Sequence, residues 1–289
     1  MGWTVVLLHR AAAALARRVA AGEHAQPDHN GLAPEAAQPA ALGVERRDRL
    51  GMYLARYTGK GVRIAVIDSG VHAEHPHVGG VAGGFAIRED GTLVDDCVDR
   101  LGHGTAVTAA IREKAPDAEV LAIKVFWRTL ATDIGTLARA IDEAAARGAA
   151  VINLSLGTAD MRHRERLEGA VARARALGAI VVSAHDAGGV RWLPGSLEGV
   201  VAVRADWSCD RQTYDVVFVE DRRVLRASAY PRDIPGVSRD KNVNGVSFAV
   251  ANASGFVARA REAEPGADVP RIFAILETAG SVPRAPVWK

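Results

Sequence analysis

From residue 62 onward the chain alternates short, almost wholly apolar runs with segments of helical period, and few architectures accept that rhythm. The runs VRIAVID (62–68), EVLAIKVF (119–126), AAVINLSL (149–156), AIVVSA (179–184) and GVVAVRA (199–205) predict strands. Segments 104–113, 134–147 and 164–177 predict helices, the last two stopping at Gly148 and Gly178, where glycine readily closes a helix. Strands that are apolar on both faces need cover on both faces, so the pattern predicts an α/β fold with a mostly parallel sheet between two helical layers. In such sheets functional side chains gather at the carboxyl ends of the strands, which here means Asp68 and the residues after Ser155.

The rhythm changes on either side of this region. Residues 214–229 predict a β-hairpin turning near Glu220–Arg222, 230–244 form a Pro/Gly/Asn-rich approach, and 269–279 predict a last helix. Upstream, residues 1–22 read as a strand followed by an Ala/Arg-rich helix, 23–42 as a linker with Pro27, Pro34 and Pro39, and 43–58 as a helix. A length of 289 residues with 48% hydrophobic content suits one core, so the expected division is an extension over 1–45 and one domain over 46–289.

Residues 244–255, NGVSFAVANASG, bring Ser247 through a glycine turn to the start of a run of small residues. A helix of such residues is slim enough to cross the middle of a domain. A serine in its first turn sits at the positive end of the helix dipole, which favours an anion and the nucleophile that creates one. The same position suits a plain N-cap. Two other segments supply what a nucleophile needs: Asp68 ends the apolar run IAVID, and His103 stands between glycines in DRLGHGT. Taken singly, Asp68 could open a turn and His103 a helix.

Taken together, Asp68 in VIDSGV, His103 in GHGT, the triplet Ser155, Leu156, Gly157 and Ser247 in GVSFA resemble the subtilase family of serine peptidases over roughly residues 60 to 260. The resemblance implies a three-layer subtilisin-like fold with a β-hairpin in its C-terminal half. It also implies a triad in which His103 moves the proton of Ser247 and Asp68 orients the imidazole. Ser155, Leu156 and Gly157 would then bind the backbone of a peptide laid along the sheet edge.

The departures from the family pattern matter as much. Where subtilases place an oxyanion-hole Asn, this chain has Asp186. An ionised carboxylate donates no hydrogen bond, and loss of such a donor costs about 2.7–4 kcal/mol of transition-state stabilisation, the figure known for a subtilisin. Three arrangements are open: Asp186 protonated by burial, Asp186 turned away, or a weak or inactive peptidase. Val246, Ala251 and Asn252 also replace the family's usual Thr, Pro and His.

A formal charge of +2, from 36 basic and 34 acidic residues scattered along the chain, gives no reason to expect nucleic acid or a membrane as partner. Two cysteines, Cys97 and Cys209, rule out a disulfide scaffold and are expected as free thiols. Near the N-terminus the arginines Arg10, Arg17 and Arg18 follow the apolar run WTVVLL instead of preceding it, so the expectation is a protein that is not exported and stays in the cytoplasm. His72, Glu74, His75 and His77 cluster in VHAEHPHVGG, yet a surface His-Pro loop accounts for them, and no metal or other cofactor is expected. The expected function is a serine endopeptidase acting on peptide or protein substrates, selective enough for a processing or maturation role. The alternatives are a pseudopeptidase that keeps the groove as a peptide-binding module and, third, an esterase or acyltransferase.

Overall fold

The computed structural model describes residues 5–7, 54–238 and 241–279. In chain order the elements are β1 (Val5–Leu7), β2 (Arg63–Asp68), β3 (Gly83–Ile87), β4 (Leu93–Val94), α1 (His103–Lys114), β5 (Glu119–Lys124), β6 (Ala131–Thr132), α2 (Ile134–Ala146), β7 (Val151–Leu154), β8 (Leu156–Gly157), α3 (Arg164–Ala176), β9 (Ile180–Ala184), β10 (Asp186–Ala187), β11 (Val190–Arg191), β12 (Val200–Asp206), β13 (Tyr214–Val219), β14 (Arg222–Ser228), α4 (Val246–Ala263) and α5 (Val269–Ala279).

The main sheet runs β13-β14-β12-β9-β7-β2-β5-β3-β4. Every pair from β14 through β3 is parallel, and only the terminal strands β13 and β4 are antiparallel. Alternation along β2 explains the layers. Ile64 and Val66 pack with Val107 and Ile111 of α1 and Phe248 of α4. Ala65 and Ile67 face Leu137 and Ile141 of α2 and Leu167 and Val171 of α3 on the other side. Each of these large side chains, buried fully, contributes about 1.5–3 kcal/mol, so the sheet is fixed from both faces.

The composition of α4 explains how it threads the first layer. Val246 through Ala258 are all buried, and a β-carbon added at Gly255 would lie 2.5 Å from Cβ of Lys114, so the backbones of α4 and α1 meet where only glycine fits. Asp133 caps α2 by accepting from the N–H groups of Gly135 and Thr136 at 2.7 and 2.9 Å, and Gly148 and Gly178 leave α2 and α3 in the left-handed conformation.

Two departures from the sequence reading have local causes. The predicted strand 149–156 divides: β7 ends at Leu154, and β8 leaves the main sheet to pair elsewhere. Strand β3 is not among the strands expected from the apolar runs, since it begins with two glycines; a β-carbon at Gly84 would meet Sγ of Cys97 at 2.6 Å, so the strand needs glycine for close packing. The hairpin turns where expected, at Glu220 and Asp221, both with positive φ (48° and 60°), the two-residue geometry that matches strand twist. The helices expected within 1–22 and over most of 43–58 lie outside the described residues, as does the linker 23–42. Cys97 and Cys209 are not bridged, and burial pushes the Cys97 thiol up. Among the described residues no helix is long and apolar enough to cross a membrane.

Candidate active site

Strand β2 lies between β5 and β7, where the order of connection reverses, and its carboxyl end carries Asp68 into the crevice that such reversals create. Asp68 is fully buried. His103, the first residue of α1, sets Nδ1 at 2.8 and 2.9 Å from the two carboxylate oxygens of Asp68. Its Nε2 is buried with no hydrogen-bond partner. The imidazole rests 5.6 Å from the ring of Phe248, the residue after Ser247.

Ser247 is the second residue of α4, near the helix's positive end. Its hydroxyl donates to the carbonyl of Ser155 at 3.1 Å, while the Ser155 hydroxyl donates to the Ser247 carbonyl at 3.0 Å. The exchange continues inward: Asn153 Nδ2 donates to Ser155 Oγ at 3.2 Å, and Ser254 Oγ donates to Asn153 Oδ1 at 3.0 Å. This buried polar chain locks the start of α4 to the end of β7. Asn252, at the position of the family's histidine, donates to the carbonyls of Ser228 and Tyr230.

Of the three arrangements left open for Asp186, the structure argues against protonation by burial. Burial does push its carboxyl up, but hydrogen bonds and charge from His185 and Arg204 outweigh that and hold it below the usual carboxylate range. Oδ2 accepts from His185 Nδ1 at 2.8 Å and from Arg204 Nε. The group is an ionised carboxylate in a half-buried ion pair, turned toward Arg204 of β12.

Leu156 and Gly157 form β8, an edge on which a third strand is already seated. The chain's own β1 runs antiparallel between β6 and β8, with Val5 opposite Thr132, Val6 opposite both Ala131 and Gly157, and Leu7 opposite Leu156. Ser155 is not part of that pairing, since its groups are used within the core. The glycine at 157 answers a second demand: an added β-carbon would sit 2.3 Å from the Leu193 carbonyl, which pairs with Thr158.

Three contributors had no signal in the sequence pattern. Ala131–Thr132 completes the cleft as the second edge, Arg204 neutralises Asp186, and Asp99 accepts hydrogen bonds from groups on both sides of His103. The histidine-rich segment 71–80 is a local turn in which the His77 N–H donates to His75 Nδ1. Among the described residues no three His, Cys, Asp or Glu side chains converge as metal ligands.

A sequence profile described as Subtilase family matches residues 59–205, a span that holds Asp68, His103, Ser155–Gly157 and Asp186 but ends before Ser247. Subtilisin Savinase of Lederbergia lenta is 29% identical over 244 residues, covering 79% of this chain and 87% of that protein. An alkaline protease of Alkalihalobacillus alcalophilus is also 29% identical over 79% of this chain, which spans only 61% of that relative's length. Among solved structures, a protease of Pseudoalteromonas arctica superposes with a TM-score of 0.60 at 20% identity, covering 79% of this chain and 86% of its own. The nisin leader peptidase NisP of Lactococcus lactis does so with 0.56 at 20% identity, covering 79% and 90%. At those identities the superpositions establish a shared fold.

Proposed function

The chain belongs to the subtilase family, and on that premise we propose that it is a serine endopeptidase whose triad is Asp68, His103 and Ser247. The observation that carries the reading is the state of His103. Two short contacts from Asp68 hold the proton on Nδ1, which leaves the lone pair on Nε2 of a ring that lies 5.6 Å from Phe248 at the start of α4. Nε2 makes no hydrogen bond to another group of the protein, which leaves it available to accept a proton during turnover. Rotation of the Ser247 side chain away from the Ser155 carbonyl would supply that proton. His103 then accepts the hydroxyl proton as Ser247 attacks the carbonyl carbon, and returns it to the leaving amine. The dipole of the 18-residue helix α4 favours the oxyanion, and the Asp186 charge, largely offset by Arg204, opposes it weakly.

The substrate is a peptide or protein segment in extended form. The seating of β1 between β6 and β8 supports this, because a backbone in that place is paired along both edges. A cleft that a strand of the same chain occupies favours selective processing over indiscriminate digestion. Action inside the cell remains part of the proposal, in keeping with the two unbridged cysteines. The test is cleavage of a peptide library together with labelling by a fluorophosphonate. Wild type should cleave and label, and Ser247→Ala should lose both, with kcat down on the order of 10⁴-fold or more. A wild-type protein that neither cleaves nor labels would overturn the reading.

A further inference from the structure

The triad leaves one half-buried carboxylate near it without a role. Asp99 lies in the loop before α1, and its two oxygens accept five hydrogen bonds. Oδ1 takes the hydroxyl of Ser69 at 2.9 Å and the N–H groups of Leu101 and Gly102 at 2.9 and 2.8 Å. Oδ2 takes the N–H and the hydroxyl of Thr105 at 2.9 and 2.7 Å. The donors flank His103 on both sides, at 101 and 102 before it and 105 after it.

Ser69 extends the connection to the other member of the pair. Its N–H donates to Asp68 Oδ1 at 2.7 Å, and its hydroxyl, while donating to Asp99, accepts the N–H of Gly104 at 2.9 Å. Thr105 Oγ1 likewise accepts the N–H of His72, beyond the end of β2. The two backbones press together here: a β-carbon at Gly104 would lie 2.1 Å from the Gly70 carbonyl. Asp68 arrives on a strand and His103 on a helix, and the group that bridges these two carriers through shared hydrogen bonds is the Asp99 carboxylate.

Its charge state suits that task. Burial pushes the carboxyl up, but the hydrogen bonds from Thr105, Leu101 and Gly102 outweigh it and keep Asp99 ionised. A carboxylate offers about four lone-pair sites and no donor, so five donors saturate it. An amide at the same place would turn an N–H₂ toward groups that now donate to the carboxylate.

We propose that Asp99 is a positioning residue, fixing the His103 imidazole against Asp68 by tying the first turn of α1 to the end of β2. It acts through Ser69 and the loop backbone and touches neither substrate nor reacting atoms. The proposal rests on the triad reading above, so its test includes a measurement that needs no turnover.

That measurement is the proton resonance of His103 Nδ1–H and its rate of exchange with solvent, in wild type, Asp99→Asn, Ser69→Ala and the double variant. In wild type the proton should resonate at low field and exchange slowly. Asp99→Asn should speed exchange at least tenfold, and where cleavage is measured should lower kcat about 10- to 100-fold with KM within about twofold, the effect of a sub-ångström to 1 Å misplacement. Ser69→Ala, which leaves the loop contacts of Asp99 in place, should act in the same direction, and the double variant should fall short of the product of the single effects. If Asp99→Asn does not fold, Ser69→Ala carries the test alone. An unchanged Nδ1–H signal and kcat in folded variants whose melting temperature has dropped would assign Asp99 to stability only and overturn the proposal. A wild type that shows the signal but cleaves nothing would overturn the peptidase reading and leave the positioning role supported by the resonance.

Discussion

On the proposed peptidase reading, replacing Asp186 by Asn should speed peptide cleavage. In the wild type, Oδ2 holds both His185 and Arg204, and Oδ1 takes no part in those two contacts. The oxygen of an Asn can keep both partners, which puts Nδ2 where Oδ1 stood and changes an acceptor into a donor. One well-aimed donor is worth about 2.7–4 kcal/mol to a developing oxyanion, so kcat should rise by up to roughly 10²–10³-fold. The cost in stability is small, because Arg204 is 37% exposed and a pair open to water on one side contributes at most about 1 kcal/mol. The assay is kcat on a chromogenic peptide amide from about pH 5 to 9, with melting temperature as a control. Across that range the wild-type carboxylate stays charged: its folded pKa is lowered, so the stability it adds is present above the ordinary carboxylate value of about 3.9 and fades only as pH falls through the lower folded value. The rate ratio between variant and wild type should therefore be flat with pH. A folded Asp186→Asn protein with unchanged or lower kcat would show that this side chain does not face the oxyanion.

Other perturbations read different parts of the same structure. Val6→Pro removes an N–H from the middle of β1, where both edges pair, and should lower KM several-fold at constant kcat as the cleft is freed; an unchanged KM would mean that the strand does not compete with substrate. Gly157→Ala forces a β-carbon against the Leu193 carbonyl and should cost about 1–3 kcal/mol in urea unfolding. Asp133→Ala removes the cap of α2 and should cost about 1 kcal/mol at pH 7. Burial pushes the Asp133 carboxyl up, yet bonds from Thr136 and Gly135 hold it below the ordinary range, so the difference between variant and wild type should vanish as pH falls through the lowered value. A gap that persists undiminished at pH 2 would contradict the capping account.

Much of the fold was legible because its causes are local. Apolar runs and helical periods located β2, β5, β7, β9 and β12 and the helices α1, α2 and α3 to within a few residues, and Gly148 and Gly178 marked the helix ends. The glycine-led β3 was missed, because its Gly84 answers to Cys97 thirteen residues away. The short β6 was missed because two residues carry no period at all.

The candidate site divides along the same line. The order of Asp68, His103 and Ser247, and the placing of each at an element's end, follow from the sequence alone, since turn glycines and strand ends are written in neighbouring residues. The charge of Asp186 is not written there: the same carboxylate would be neutral in an apolar pocket and is ionised because β12 brings Arg204 beside it. Asp99 is likewise an ordinary loop acid until the end of β2 and the start of α1 close around it. Periodicity and turn chemistry act over a few residues and so can be read from the chain. Ionisation and alignment depend on desolvation and on partners distant in sequence, and only the packed tertiary structure determines those.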